Sequence, residues 1–195
     1  VIEETETRQI VRTPLGALLK VDKLGHSIPQ HLEEALLPTR SSWEQFRTYI
    51  DPSDPARRSP QLGQKALELN RSSRVLAFMG GSLFGWTRDW MGVQNMSYLA
   101  YDNPSLYEEI IDYLTEYFIQ LYRPVLEQVE YDFAYLFEDC CFSTGPLISP
   151  RLYKQYYHKY YQKLIQFYRS QGVKFILLDS DGNIETLIPL WLDSG

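Results

Sequence analysis

At 195 residues, with 44% hydrophobic and 23% charged side chains, the chain has the mix of one globular domain large enough for a real core. A formal net charge of −6, with no basic run to offset it, argues against nucleic acid as a partner, and no apolar run approaches the roughly 20 residues of a membrane span. The two cysteines, Cys140 and Cys141, are adjacent, a spacing that suits neither a disulfide framework nor a C-x-x-C site, so a reducing cytoplasm is the expected compartment. No secretory leader is visible.

The first 23 residues alternate polar and apolar positions on either side of Thr13-Pro14-Leu15-Gly16, which predicts a partly solvated β-hairpin. Residues 25–40 read as a polar surface loop. Its histidines, His26 and His31, have no second ligand at helical or strand spacing to make a metal site. A short amphipathic helix is predicted over 41–50, a proline-stiffened connector over 51–60 and a second helix over 61–71. Val75 to Met79 reads as the first core strand, ending in Gly80-Gly81, a pair that permits either close approach to a ligand or a tight turn.

Residues 82–92 are dense in aromatics and carry Arg88, which suits either a ligand carboxylate or phosphate or an ion pair with Asp89. Helix is predicted over 95–101. The longest helix follows Asn103-Pro104, with Leu106, Ile110, Leu114, Tyr117, Phe118 and Leu121 on one core stripe and Pro124 near its end.

Residues 131–137 then read as a strand ending in Glu138 and Asp139. Ser149 and Pro150 open a long helix whose tyrosines recur at three- and four-residue steps, and Gly172 ends it. A second apolar strand, 173–178, ends in Asp179-Ser180-Asp181-Gly182-Asn183. Strand, helix and strand make a βαβ unit with parallel strands, so both acidic tips should finish at the same edge of the sheet and face one cleft. Carboxylates that converge there raise one another's pKa and poise one as a general acid, or they bind a hard divalent cation through oxygen. The competing reading makes Asp179 and Asp181 the cap of a helix from Asn183 onward. Cys140 and Cys141 are expected to pack, because the local negative charge raises thiol pKa. His158 is expected to face solvent or pack.

The order of Phe137-Glu-Asp-Cys-Cys-Phe142, Gly145-Pro-Leu-Ile-Ser-Pro150, the tyrosine-rich helix, Leu178-Asp-Ser-Asp-Gly-Asn-Ile184 and Leu187-Ile-Pro-Leu-Trp-Leu-Asp-Ser-Gly195 resembles the uroporphyrinogen decarboxylase superfamily. The resemblance runs from about residue 11 to 195 and is closest after Tyr131. That superfamily includes porphyrinogen decarboxylases and corrinoid-dependent methyltransferases. The resemblance implies an α/β fold of the (β/α)8 TIM-barrel type, here an incomplete middle portion, with residues 1–24 as hairpin decoration and 75–195 as barrel units. Because the chain begins with Val1 and a closed barrel usually needs about 250 residues, it reads as an internal, aggregation-prone piece of a longer protein.

By the same resemblance the chain is expected to decarboxylate a tetrapyrrole-type substrate at the C-terminal ends of its strands. Glu138, Asp139, Asp179 and Asp181 would be catalytic, and Gly80, Gly81, Arg88, Ser180 and Asn183 would contact substrate. The alternatives are methyl transfer with a corrinoid protein, or an inactive barrel remnant. A small substrate with a divalent cation stays open, and so does a homodimer. Asp179 and Asp181 stand where the methyltransferases carry a zinc-binding His-x-Cys pair, and two aspartates prefer magnesium, calcium or manganese to zinc. Glu138-Asp139 stands where the decarboxylases carry Asp-Ser.

Overall fold

The computed structural model describes all of residues 1–195, which divide into two compact units: Val1–Ile50 with Thr87–Leu106, and Asp51–Trp86 with Tyr107–Gly195.

In the first unit, β1 (Glu3–Glu4), β2 (Arg8–Arg12), β3 (Leu18–Asp22) and β4 (Gln30–Glu33) form an antiparallel sheet in chain order. The predicted hairpin is its centre, with Val11 opposite Leu19, and the turn is closed by the Gly16 N–H donating to the Thr13 carbonyl at 3.0 Å. Residues 30–33, expected as loop, add the fourth strand, because the Leu18/Leu19 bulge lets a polar segment pair with β3. Helix α1 (Arg40–Phe46) is capped by the Thr39 hydroxyl, which accepts from the Ser42 N–H at 3.3 Å. Trp43, Phe46, Trp90, Met91 and Leu99 are buried, and the Phe46 and Trp90 rings lie 4.8 Å apart. Helix α4 (Val93–Asp102) completes this unit; α3, defined below, precedes it in the chain.

The second unit is built on β5 (Ala77–Met79), β6 (Phe133–Phe137) and β9 (Phe175–Asp179), three parallel strands in the order β5-β6-β9. Its helices are α2 (Leu62–Asn70), α5 (Pro104–Leu126), α6 (Pro150–Tyr156), α7 (His158–Ser170) and α8 (Ile188–Asp193), and α3 (Phe84–Met91) begins in this unit and ends in the first. A small ribbon, β7 (Cys141–Phe142) with β8 (Gly145–Pro146), follows β6. Successive strand residues point to opposite faces. Phe78, Ala134 and Leu136 turn to the helices, where the Phe78 ring lies 5.1 Å from Tyr122 of α5 and 5.2 Å from Tyr168 of α7. Tyr168, fully buried, contributes about 2–3 kcal/mol. The residues of opposite parity, Met79, Phe137, Phe175 and Leu177, are exposed on the other face.

Closure into a TIM barrel is not seen, which corrects the expected fold class. A barrel has no edge strands, whereas β5 and β9 each keep an open edge, and the remaining strands are antiparallel, four in their own sheet and two in the ribbon. The expected single tyrosine-rich helix is also two. It breaks at Tyr157, a fully buried residue with φ −115° whose hydroxyl meets that of Tyr107. Within the aromatic-dense stretch, residues 84–91 are helical. No helix is long and apolar enough to cross a membrane.

Candidate functional site

The two acidic tips have opposite surroundings. Strand β6 ends at Phe137, and the next residue, Glu138, turns to the helix side, where it is only 2% exposed. The first turn of α3 leaves backbone N–H groups without partners inside the helix, and Glu138 takes them. Oε1 accepts from Leu83 N–H at 3.0 Å, and Oε2 accepts from Phe84 N–H at 2.9 Å and Gly85 N–H at 3.0 Å. The Ser82 hydroxyl donates to Oε2 at 3.1 Å, and the Tyr161 hydroxyl of α7 donates to Oε1.

Glycine is required at position 85 for this approach. A Cβ there would come within 2.6 Å of Ser82 Oγ and 2.9 Å of the Phe137 and Glu138 carbonyl oxygens. Burial raises the Glu138 carboxyl, and against the opposing pull of its backbone and hydroxyl donors it stands at about 7. Glu138 is therefore a helix cap supplied from a neighbouring strand, and it does not face an open cleft.

Asp179, the last residue of β9, is half-buried, and its carboxylate accepts from the Tyr135 hydroxyl. That bond raises the phenol's pKa above its ordinary value. Tyr135 shares its face and its register with Met79 and Leu177, and Phe137 pairs with Asp179 itself. The Tyr135–Asp179 pair thus stands at the C-terminal end of the exposed apolar face. The Asp179 carbonyl accepts from the N–H groups of Glu138 (2.9 Å) and Asp139 (3.2 Å) and locks the two strand ends together. Asp139 has φ +41°, the left-handed region that a non-glycine residue seldom occupies.

Ser180, Asp181 and Asn183 belong to the loop after β9. Ser180 Oγ accepts from Cys140 N–H at 2.9 Å and donates to the Asp181 carbonyl at 3.1 Å. Gly182, at φ +80°, lies against the Phe142 carbonyl, where a Cβ would come within 2.5 Å, and Asn183 N–H donates to that oxygen at 2.8 Å. Asp181 is exposed. The helix expected from Asn183 begins only at Ile188, with Leu187 at its cap position, so neither aspartate caps it.

Gly80 and Gly81 are both buried against the protein's own core. The Gly80 carbonyl accepts from the Tyr168 hydroxyl at 2.6 Å, and a Cβ on Gly81 would meet the Phe118 ring at 2.6 Å. Arg88 lies in the first unit and donates to Asp89 Oδ1 from Nε (3.1 Å) and Nη2 (3.0 Å). Cys140 and Cys141 are buried, and burial pushes the Cys140 thiol up. No group of three or more His, Cys, Asp or Glu side chains is placed to hold a metal ion. Asp179 is the acid that the fold brings to the open face. Its partner Tyr135 was missed in the sequence, although the alternation Phe133, Tyr135, Phe137 along one strand face was there to read.

Comparison with protein-family models, with curated proteins and with solved structures found no match for this chain.

Proposed function

We propose that the open face of the β5-β6-β9 sheet receives a broad, flat, carboxylated ligand of the tetrapyrrole type, and that the chain acts on it as a carboxy-lyase. The observation that carries this reading is the placing of one phenol–carboxylate pair, Tyr135–Asp179, at the end of an otherwise apolar sheet face. Three strands, two of five residues and one of three, present a surface of at most about 14 by 16 Å, the scale of a macrocycle rather than of a small polar metabolite. The order of motifs after Tyr131 points to the same substrate class.

In this reading the Asp179 carboxylate accepts hydrogen bonds from pyrrole N–H groups, and Met79, Phe137 and Leu177 cover the ring's apolar faces. Decarboxylation breaks the bond between the ring-linked carbon and its carboxylate. CO2 leaves, and the carbon takes up one proton. The Tyr135 hydroxyl, hydrogen-bonded to Asp179, holds a proton at the site, and a neighbouring carboxylate returns it from solvent. The buried thiols lend no support to methyl transfer through a soft metal.

The test is anaerobic incubation of the protein with uroporphyrinogen, followed by chromatography of the products. Stepwise loss of carboxylates is expected, and Asp179→Asn should abolish it with the thermal midpoint unmoved by more than a few degrees. Unchanged substrate with folded wild-type protein overturns the reading.

A further inference from the structure

The outer edge of β9 is the best-formed unoccupied feature of the second unit. In the parallel ladder Phe175 N–H donates to the Asp132 carbonyl, and the Asp179 carbonyl accepts from Glu138 N–H. These two bonds direct the backbone groups of residues 175, 177 and 179 toward β6. Ile176 and Leu178 consequently present their N–H and C=O groups to the open edge, about 6.7 Å apart along the strand.

Beside that edge runs a cleft of about 380 Å3 whose wall includes Ile165 and Arg169 of α7, Ile176 and Leu178 of β9, and Ile188 and Leu192 of α8. Its size sits at the lower end of ligand pockets, about 300–1,000 Å3. Two further side chains on its wall, Tyr153 and Trp191, have a buried hydroxyl and a buried indole N–H without a hydrogen-bond partner. Burial holds the Tyr153 phenol well above its ordinary pKa, an effect that nearby Ser194 offsets only in part. The Ser194 hydroxyl is engaged with His158 Nδ1 at 3.0 Å and the Leu190 carbonyl at 2.8 Å.

We infer that this edge and cleft form a docking site for an extended peptide segment of a partner protein, one with apolar residues at alternate positions. Outward donors and acceptors at strand spacing are matched by another extended backbone, which a compact apolar molecule does not offer. Alternate side chains of such a segment enter the cleft between α7 and α8. Leu192, 76% exposed at the rim, is then a contact residue rather than a stray apolar one.

The probe is a fluorescein-labelled peptide DFAYLF, the sequence of residues 132–137, which already pairs with β9 through its inner edge. It is titrated into the whole protein by anisotropy, with amide hydrogen exchange read residue by residue. Saturable binding is expected, with exchange at Ile176 and Leu178 slowed at least tenfold and Leu177 unchanged. Leu192→Lys, a change at an exposed position, should weaken binding about tenfold without altering the unfolding midpoint. Binding that leaves Ile176 and Leu178 unprotected, or that Leu192→Lys does not weaken, overturns the inference. So does protection of the same amides by raised protein concentration alone, which would make a second copy the occupant.

Discussion

Glu138 and Asp179 end neighbouring strands of one sheet, yet one is sealed among five donors and the other shares a single phenol on an open face. One residue of register separates them. Phe137 pairs with Asp179, so Glu138, one step further along, falls on the opposite side. On the helix side a carboxylate meets the positive end of α3 and becomes structure. On the open side it stays half-accessible and able to meet a ligand. The same carboxyl group at the same end of the sheet is thus sealed or left open by strand parity alone.

The largest effect should come from removing the buried acid. Glu138→Ala leaves three backbone N–H groups and two hydroxyls without their acceptor, and urea unfolding should show a loss of about 4 kcal/mol. Asp179→Asn should cost less than about 1 kcal/mol in the same assay. Equal losses at the two positions would erase the division between them.

The next effect is pH dependence. Glu138 has its folded-state carboxyl raised to about 7 against an ordinary 4.5, so the folded chain holds the extra proton between those values. Its contribution is fully present below pH 4.5 and is lost as pH rises through 7, a fall of about 3 kcal/mol. Stability measured from pH 4.5 to 8 should decline by this amount relative to the flatter profile of Glu138→Gln. A relative rise would mean that the five donors outweigh burial and hold the carboxylate ionised.

A smaller effect tests the geometry of the cap. Gly85→Ala must push its new methyl against Ser82 and two strand-end carbonyls, and should lower stability by about 2 kcal/mol. The Asp179 side of the comparison predicts no matching loss from Tyr135→Phe, which leaves the phenyl ring on the open face.

Local signals in the chain were enough for many of the elements, though not for β4 or for the break at Tyr157. The alternation in residues 8–22, the Ser149-Pro150 start and the stripe of Leu106, Ile110, Leu114 and Phe118 each state a period or a cap that depends only on neighbours in sequence. The parallel pairing of β6 with β9 follows from the helix between them, and Asp179 at a strand end was legible for the same reason. The residues did not say how many strands would join the sheet, because an edge strand and an inner strand share the same apolar pattern. The incomplete barrel was expected from the order of motifs, and a three-stranded sheet with two open edges stands in its place.

Nor could they say that Gly80, Gly81 and Glu138 face inward. A glycine pair at a strand end reads alike whether a ligand or Phe118 approaches it, and an acid reads alike whether solvent or a helix terminus receives it. Composition, periodicity and capping act over a few residues and were set by the sequence itself. The neighbours of Glu138 come from residues 82–85 and from Tyr161, more than 20 positions away on either side, and only the tertiary structure could bring them together.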